Sequence, residues 1–268
     1  MSPAATESQL LTAIQRKDSE LLTSYLQELD AAMPAAESGK SSISATATYL
    51  GLTSGDAAII STLLANGANP ALLDNGALIA NAEANRTDIV TLLLADVRVD
   101  PLAENGRALV LAAARSNTAM FKALYSRIPA SAAWDYTLPL ALAAKLGNHE
   151  VSKLCVEYIA RHPPTPEQRV RLNMSLVFAA INGNAQVLRD VLSIKDINVK
   201  FANDAAYLAA IKHENHECAQ ILNETGRINH EEHFASSRPI DLDIASPSWW
   251  VPQTVGAIKF YSQVVNTQ

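Results

Sequence analysis

One kind of apolar block recurs along this chain at nearly constant spacing, and that repeat limits the fold more than any other feature. Leu109-Val110-Leu111-Ala112-Ala113, Leu140-Ala141-Leu142-Ala143-Ala144, Leu176-Val177-Phe178-Ala179-Ala180 and Tyr207-Leu208-Ala209-Ala210 each precede a short polar break. A second apolar run follows such breaks, as in Ile59-Ile60 with Leu63-Leu64, Ile89-Val90 with Leu92-Leu93-Leu94, Val151 with Leu154, and Val187-Leu188 with Val191-Leu192. Two short apolar runs around a tight break read as a pair of helices joined by a turn. One residue per break serves as a marker: Lys17, Gly55, Asn85, Ser116, Gly147, Gly183 and Glu214, separated by 38, 30, 31, 31, 36 and 31 residues. The period is close to 31, with two insertions. Units this short cannot bury an apolar face alone, so they must stack.

Composition points the same way. Among 268 residues there are 45 alanines and 32 leucines but only 15 aromatics, which favours helices over strands and lets neighbouring helices approach closely. The expected fold class is all-α. With 49% apolar residues, intrinsic disorder is not expected.

The blocks resemble ankyrin repeats, whose pattern is a turn, a T-P-L-H-x-A-A helix, then G-H-x-E-V-V-x-L-L-L and a G-A-D/N turn. The best copies are the run from Thr137-Leu138-Pro139-Leu140 through Gly147-Asn148-His149-Glu150-Val151, and the ending Leu63-Leu64-Ala65-Asn66-Gly67-Ala68-Asn69-Pro70. Asn75-Gly76 and Asn105-Gly106 fall where the family places its hairpin turn, and both residue types tolerate positive φ. The resemblance spans about residues 8–229 and implies an ankyrin-like solenoid of about six to seven helix-turn-helix repeats. The repeat domain is expected over 1–229, with a weak N-terminal capping unit at 8–44. The family's T-P-L-H hydroxyl and imidazole, which tie neighbouring repeats, are mostly missing here. Gln27 to Ser42 reads as an inserted loop. His162-Pro163-Pro164-Thr165-Pro166-Glu167 marks a second insertion that cannot lie inside a helix. Residues 230–268 depart from the pattern and carry Phe234, Trp249, Trp250, Phe260 and Tyr261; this segment is expected to pack on the last repeat.

Several functions are disfavoured. The chain carries 27 Asp plus Glu against 21 Lys plus Arg, with no basic cluster denser than Arg169-Val170-Arg171, so nucleic acid is not an expected partner. The longest uncharged stretch, Ala57 to Leu73, contains the turn Asn66-Gly67-Ala68-Asn69-Pro70, which breaks any membrane span. The opening residues show no basic and apolar signal pattern, so a cytoplasmic or nucleocytoplasmic location is expected. G-x-S-x-G, Walker, dinucleotide and C-x-x-C signatures do not occur, and no cofactor is implied. Cys155 and Cys218 fall in second helices two repeats apart, roughly 20 Å at ordinary helix spacing, beyond the ~7 Å reach of a disulfide. They read as small core residues. His213, His216, His230 and His233 cluster in sequence, but their i, i+3 spacing is not the H-E-x-x-H of zinc enzymes, so no metal site is assigned. His213 and His216 are placed in the last inter-helix turn.

Function is therefore expected to be binding. The resemblance implies a concave face built of hairpin turns and the exposed side of each first helix, which docks a protein or peptide. By position, its contact residues are Tyr49, Thr53, Asn75, Glu83, Arg107, Arg115, Tyr136, Lys145, Asn182, Asp204 and Tyr207. The alternative is a small-molecule or catalytic pocket between that face and the C-terminal segment, formed by His230, His233, Trp249 and Trp250.

Overall fold

The structure is a computed structural model that describes residues 3–32, 43–226 and 228. Every marker residue from the repeat pattern occupies the left-handed region: Lys17, Gly55, Asn85, Ser116, Gly147, Gly183 and Glu214 have φ between 53° and 74°. A single left-handed residue reverses the chain in two or three steps, and each of the seven turns here joins two short helices. The pairs are α1 (Pro3–Arg16) with α2 (Ser19–Ala32), α3 (Ala45–Thr53) with α4 (Ala57–Ala65), α5 (Leu72–Glu83) with α6 (Thr87–Leu94), and α7 (Ala103–Ala114) with α8 (Thr118–Tyr125). They continue as α9 (Thr137–Leu146) with α10 (His149–Arg161), α11 (Pro166–Ile181) with α12 (Ala185–Leu192), and α13 (Phe201–Lys212) with α14 (His216–Glu224). Among the described residues there is no strand, and the fold is all-α.

The chain divides into two compact units, residues 1–135 and 136–268. Within the first, α1, α3, α5 and α7 pack in succession, and α2, α4, α6 and α8 form a second row. The second repeats this arrangement, α9, α11 and α13 in one row and α10, α12 and α14 in the other. The recurring alanines sit where the rows need close approach: Ala82, Ala113, Ala144 and Ala180, each three residues before a turn, are fully buried. Leu78, Leu109, Leu140 and Leu176, one helical turn earlier, are also buried.

Helix starts follow local chemistry. Asp56 accepts from the amides of Ala58 and Ile59, Asn117 from Met120, and Asn148 from Val151. Of the insertion at 162–167, His162 to Thr165 lie between helices, whereas Pro166 and Glu167 are helical, in a first turn where proline has no amide to lose. α10 stops at Arg161, and α11 opens with Pro166 in its first turn behind a Thr165–Gln168 capping box. The other insertion differs from expectation. Gln27 through Ala32 continue α2, because Leu26 is buried and Gln27-Glu28-Leu29 are good helix formers; residues 33–42 lie outside the described part.

α5 and α7 each begin with a left-handed arc. In α7 it covers Glu104-Asn105-Gly106, but in α5 it covers Leu73-Asp74-Asn75 and ends before Gly76. Gly76 thus serves close approach rather than φ, since a Cβ there would lie 3.2 Å from Tyr49 Cε2 and the ring would have to shift by a few tenths of an ångström. Leu73 is 64% exposed at φ 53°, a conformation that costs an L-residue about 1–2 kcal/mol. After the entropy penalty of glycine, Leu73→Gly is expected to stabilise the first unit by about 0.5–1 kcal/mol. A raised urea midpoint at unchanged slope would bear this out; a lowered one would show that the leucine side chain is packed.

Candidate functional site

Amide and guanidinium side chains tie successive pairs together. In the second unit, Asn184 Nδ2 donates to Ala144 O at 2.7 Å and Lys145 O at 3.2 Å, while Asn215 Nδ2 donates to Ala180 O at 2.7 Å and Ile181 O at 2.8 Å. Each asparagine directly follows a turn residue and reaches the last carbonyls of the preceding first helix, which no intrahelical amide satisfies. In the first unit Arg86 fills the same position and donates through Nη1 to Thr53 O at 3.0 Å. A second tie runs from asparagines of the first helices. Asn75 Oδ1 accepts from the Asp100 amide at 2.9 Å, and Asn173 Oδ1 from the Asn198 amide at 3.1 Å.

This geometry sorts the residues assigned to the concave face. Asn75 is buried and spends its side chain on the tie to Asp100, so it holds neighbouring pairs together and offers little to a partner. Tyr136 and Asp204 are buried as well, Tyr136 with its ring 5.4 Å from that of Tyr158. Tyr207 is half-buried, and the equivalent residues of other pairs, Thr48, Leu78, Leu109, Leu140 and Leu176, are buried; its position faces the core of the stack. Burial was not legible for these four because a polar side chain in a repeat can satisfy an internal amide as readily as a ligand.

The remaining residues do present surface. In the first unit Glu83 and Arg115 are exposed, and Tyr49, Thr53 and Arg107 are half-buried. Tyr49 and Thr53 lie four residues apart on one face of α3, and Arg107 pairs with Glu104 at 2.8 Å. In the second unit Lys145 is half-buried and Asn182 exposed. Counting back from the turn residue adds two that the motif comparison missed, Lys212 and His213, both exposed. They stand at the steps occupied by Lys145 and Asn182, and α9, α11 and α13 are consecutive neighbours, so these side chains form one row. Regular spacing alone would have found them.

Other candidates reduce to structure. His213 caps α13 and His216 opens α14, both exposed in the turn as expected. Among the described residues no three His, Cys, Asp or Glu side chains gather as metal ligands. Cys155 and Cys218 lie in α10 and α14 with their thiols buried. Burial pushes the Cys155 thiol well above its ordinary range, and raises Cys218 with help from the Glu217 charge, so neither is an activated nucleophile. His149 Nδ1 meets Asp190 Oδ2 at 2.7 Å and links α10 to α12. His230, His233, Trp249 and Trp250, with the whole 230–268 segment, lie outside the described residues. Among those described, no helix is long and apolar enough to cross a membrane. No protein-family model matches this chain, and comparison with curated proteins finds no relative.

Proposed function

We propose that the chain is an ankyrin-like repeat scaffold that binds a protein or peptide along its rows of first helices. One observation supports this most. Polar side chains recur in the last two steps before successive turns, Lys145 and Lys212 two residues before and Asn182 and His213 one before, half-buried at Lys145 and exposed at the other three, while Ala144 and Ala180 at the third step are buried. A stack needs the alanines to close its core; it has no use for the repeated polar row beside them, and such a row gives an extended partner a contact in each unit. In the second unit that row carries Lys145, Lys212 and His213 and no carboxylate at those steps, which suits a segment with acidic side chains. The first unit offers a mixed set in Thr53, Glu83 and Arg115.

A photo-crosslinking residue tests the assignment. Placed at Lys145 or Lys212 in the full chain, it is expected to give discrete protein adducts in cells. Placed at Lys153 or Arg189, exposed on second helices, it should give none. Lys145→Glu with Lys212→Glu should weaken capture of that adduct partner at least tenfold, with the unfolding midpoint nearly unmoved, since surface substitutions away from the core change stability by only about 0.5 kcal/mol. Equal labelling from both helix rows would overturn the proposal.

A further inference from the structure

The last described pair breaks the stacking rule at one position. Three residues before each turn stand Ile14, Leu52, Ala82, Ala113, Ala144, Ala180 and Ile211. The first six are buried, five of them completely, whereas Ile211 is 50% exposed. This position faces the following pair: a Cβ built at Gly51, in the second pair, would lie 3.4 Å from Ile14 Cδ1 in the first. Tyr207, one helical turn before Ile211, is half-buried where its six equivalents in the preceding pairs are buried. α13 therefore carries an apolar forward face built for a neighbour, and no further pair follows it among the described residues.

We propose that residues 244–258 of the same chain cover this face. After α14 the chain continues for 40 residues from Asn229, and the stretch from Ile244 to Ile258 is free of charge and holds Trp249 and Trp250. The intervening residues 229–243 can span up to ~50 Å when extended, far more than the ~18 Å length of a 12-residue helix such as α13. Covalent attachment keeps the effective concentration of that segment in the millimolar range. A second copy of the chain is the weaker candidate, because a face centred on Tyr207 and Ile211 falls well short of the ~20–30 residues per side of a stable interface. This surface is distinct from the polar row of Lys145, Asn182 and Lys212, so each proposal can fail alone.

Tryptophan fluorescence tests it in the full chain. The chain has three tryptophans, and Trp134→Phe leaves only Trp249 and Trp250 as reporters. Their emission is expected to be blue-shifted and resistant to acrylamide. Ile211→Asp should red-shift it and raise the quenching constant at least threefold, with helical circular dichroism retained, and Ile211→Ala should give a smaller change in the same direction. Should Trp134→Phe unfold the chain, subtracting the Trp249→Phe/Trp250→Phe double variant from the unmodified protein yields the same signal. Emission already typical of fully exposed indole, or unmoved by Ile211→Asp, would overturn the proposal. Protection that disappears on dilution, together with a dimer in light scattering, would overturn it in favour of a second copy.

Discussion

Gly183→Val is expected to lower the stability of the second unit by about 3–4 kcal/mol. Two costs combine. Gly183 holds φ 68°, where an L-residue pays about 1–2 kcal/mol and a β-branched one the upper end of that range. The space is also taken: a Cβ at Gly183 would lie 2.8 Å from Asn215 Oδ1, and Asn215 is held by its bonds to Ala180 O and Ile181 O. Displacing that amide removes two hydrogen bonds worth about 1 kcal/mol each. Gly226 supplies the control, because it has a similar φ of 65° with no atom of the described residues within 4 Å of an added Cβ. Gly226→Val should therefore cost only the backbone part, about 1–2 kcal/mol. Urea unfolding of both variants measures the difference, and equal losses would show that the asparagine tie contributes nothing. Gly147 repeats the arrangement against Asn184 and should behave as Gly183 does.

The turn residues were legible from their place between two apolar runs rather than from residue type. Gly, Asn, Ser, Lys and Glu all occur at the seven markers, yet the apolar runs on either side fix the place, and each marker has positive φ. The helix rows followed from the same periodicity, and Cys155 and Cys218 from their apolar neighbours. What could not be read was which polar residues face inward. Asn75 and Asn182 look alike in sequence; one is buried on the Asp100 amide and the other is exposed, its side chain turned back on Phe178 O. The difference depends on a backbone amide 25 residues away, which no local pattern encodes. The same holds for the ties themselves. Asparagine after a turn signals an N-cap, and Asn117 and Asn148 do cap their helices, but Asn184 and Asn215 make no such bond and reach across to the preceding pair instead. Ile211 was equally opaque until its exposure could be set against the buried residues at the same step.

Asn81 is the second large effect, and it explains an apparent irregularity. Four residues before the turn, later pairs carry Ala112, Ala143, Ala179 and Ala210, all fully buried; α5 carries Asn81, equally buried. Its Nδ2 donates to Leu52 O and Ala77 O, both at 2.8 Å, and its Oδ1 accepts from Arg86 Nη1 at 3.3 Å. Arg86 occupies the step that asparagine fills in the four later pairs, and its guanidinium lies so close to Gly55 that any Cβ there would collide with it. Asn81 and Arg86 thus perform together the tie that Asn184 or Asn215 performs alone. Asn81→Ala should cost about 3 kcal/mol, since it leaves the buried Leu52 carbonyl without its amide donor and takes from the Arg86 guanidinium one of its two acceptors, each loss worth about 1–3 kcal/mol. Arg86→Asn alone should cost less, about 1 kcal/mol, because the shorter amide competes with Asn81 for the same carbonyls. The double variant rebuilds the alanine-plus-asparagine arrangement of the later pairs, and its loss should be at least 1.5 kcal/mol smaller than the sum of the singles, a coupling within the range for residues sharing one network. Strict additivity in that cycle would mean the two side chains act independently, and the substitution of Arg86 for asparagine would then have no bearing on why a polar residue sits in the alanine row.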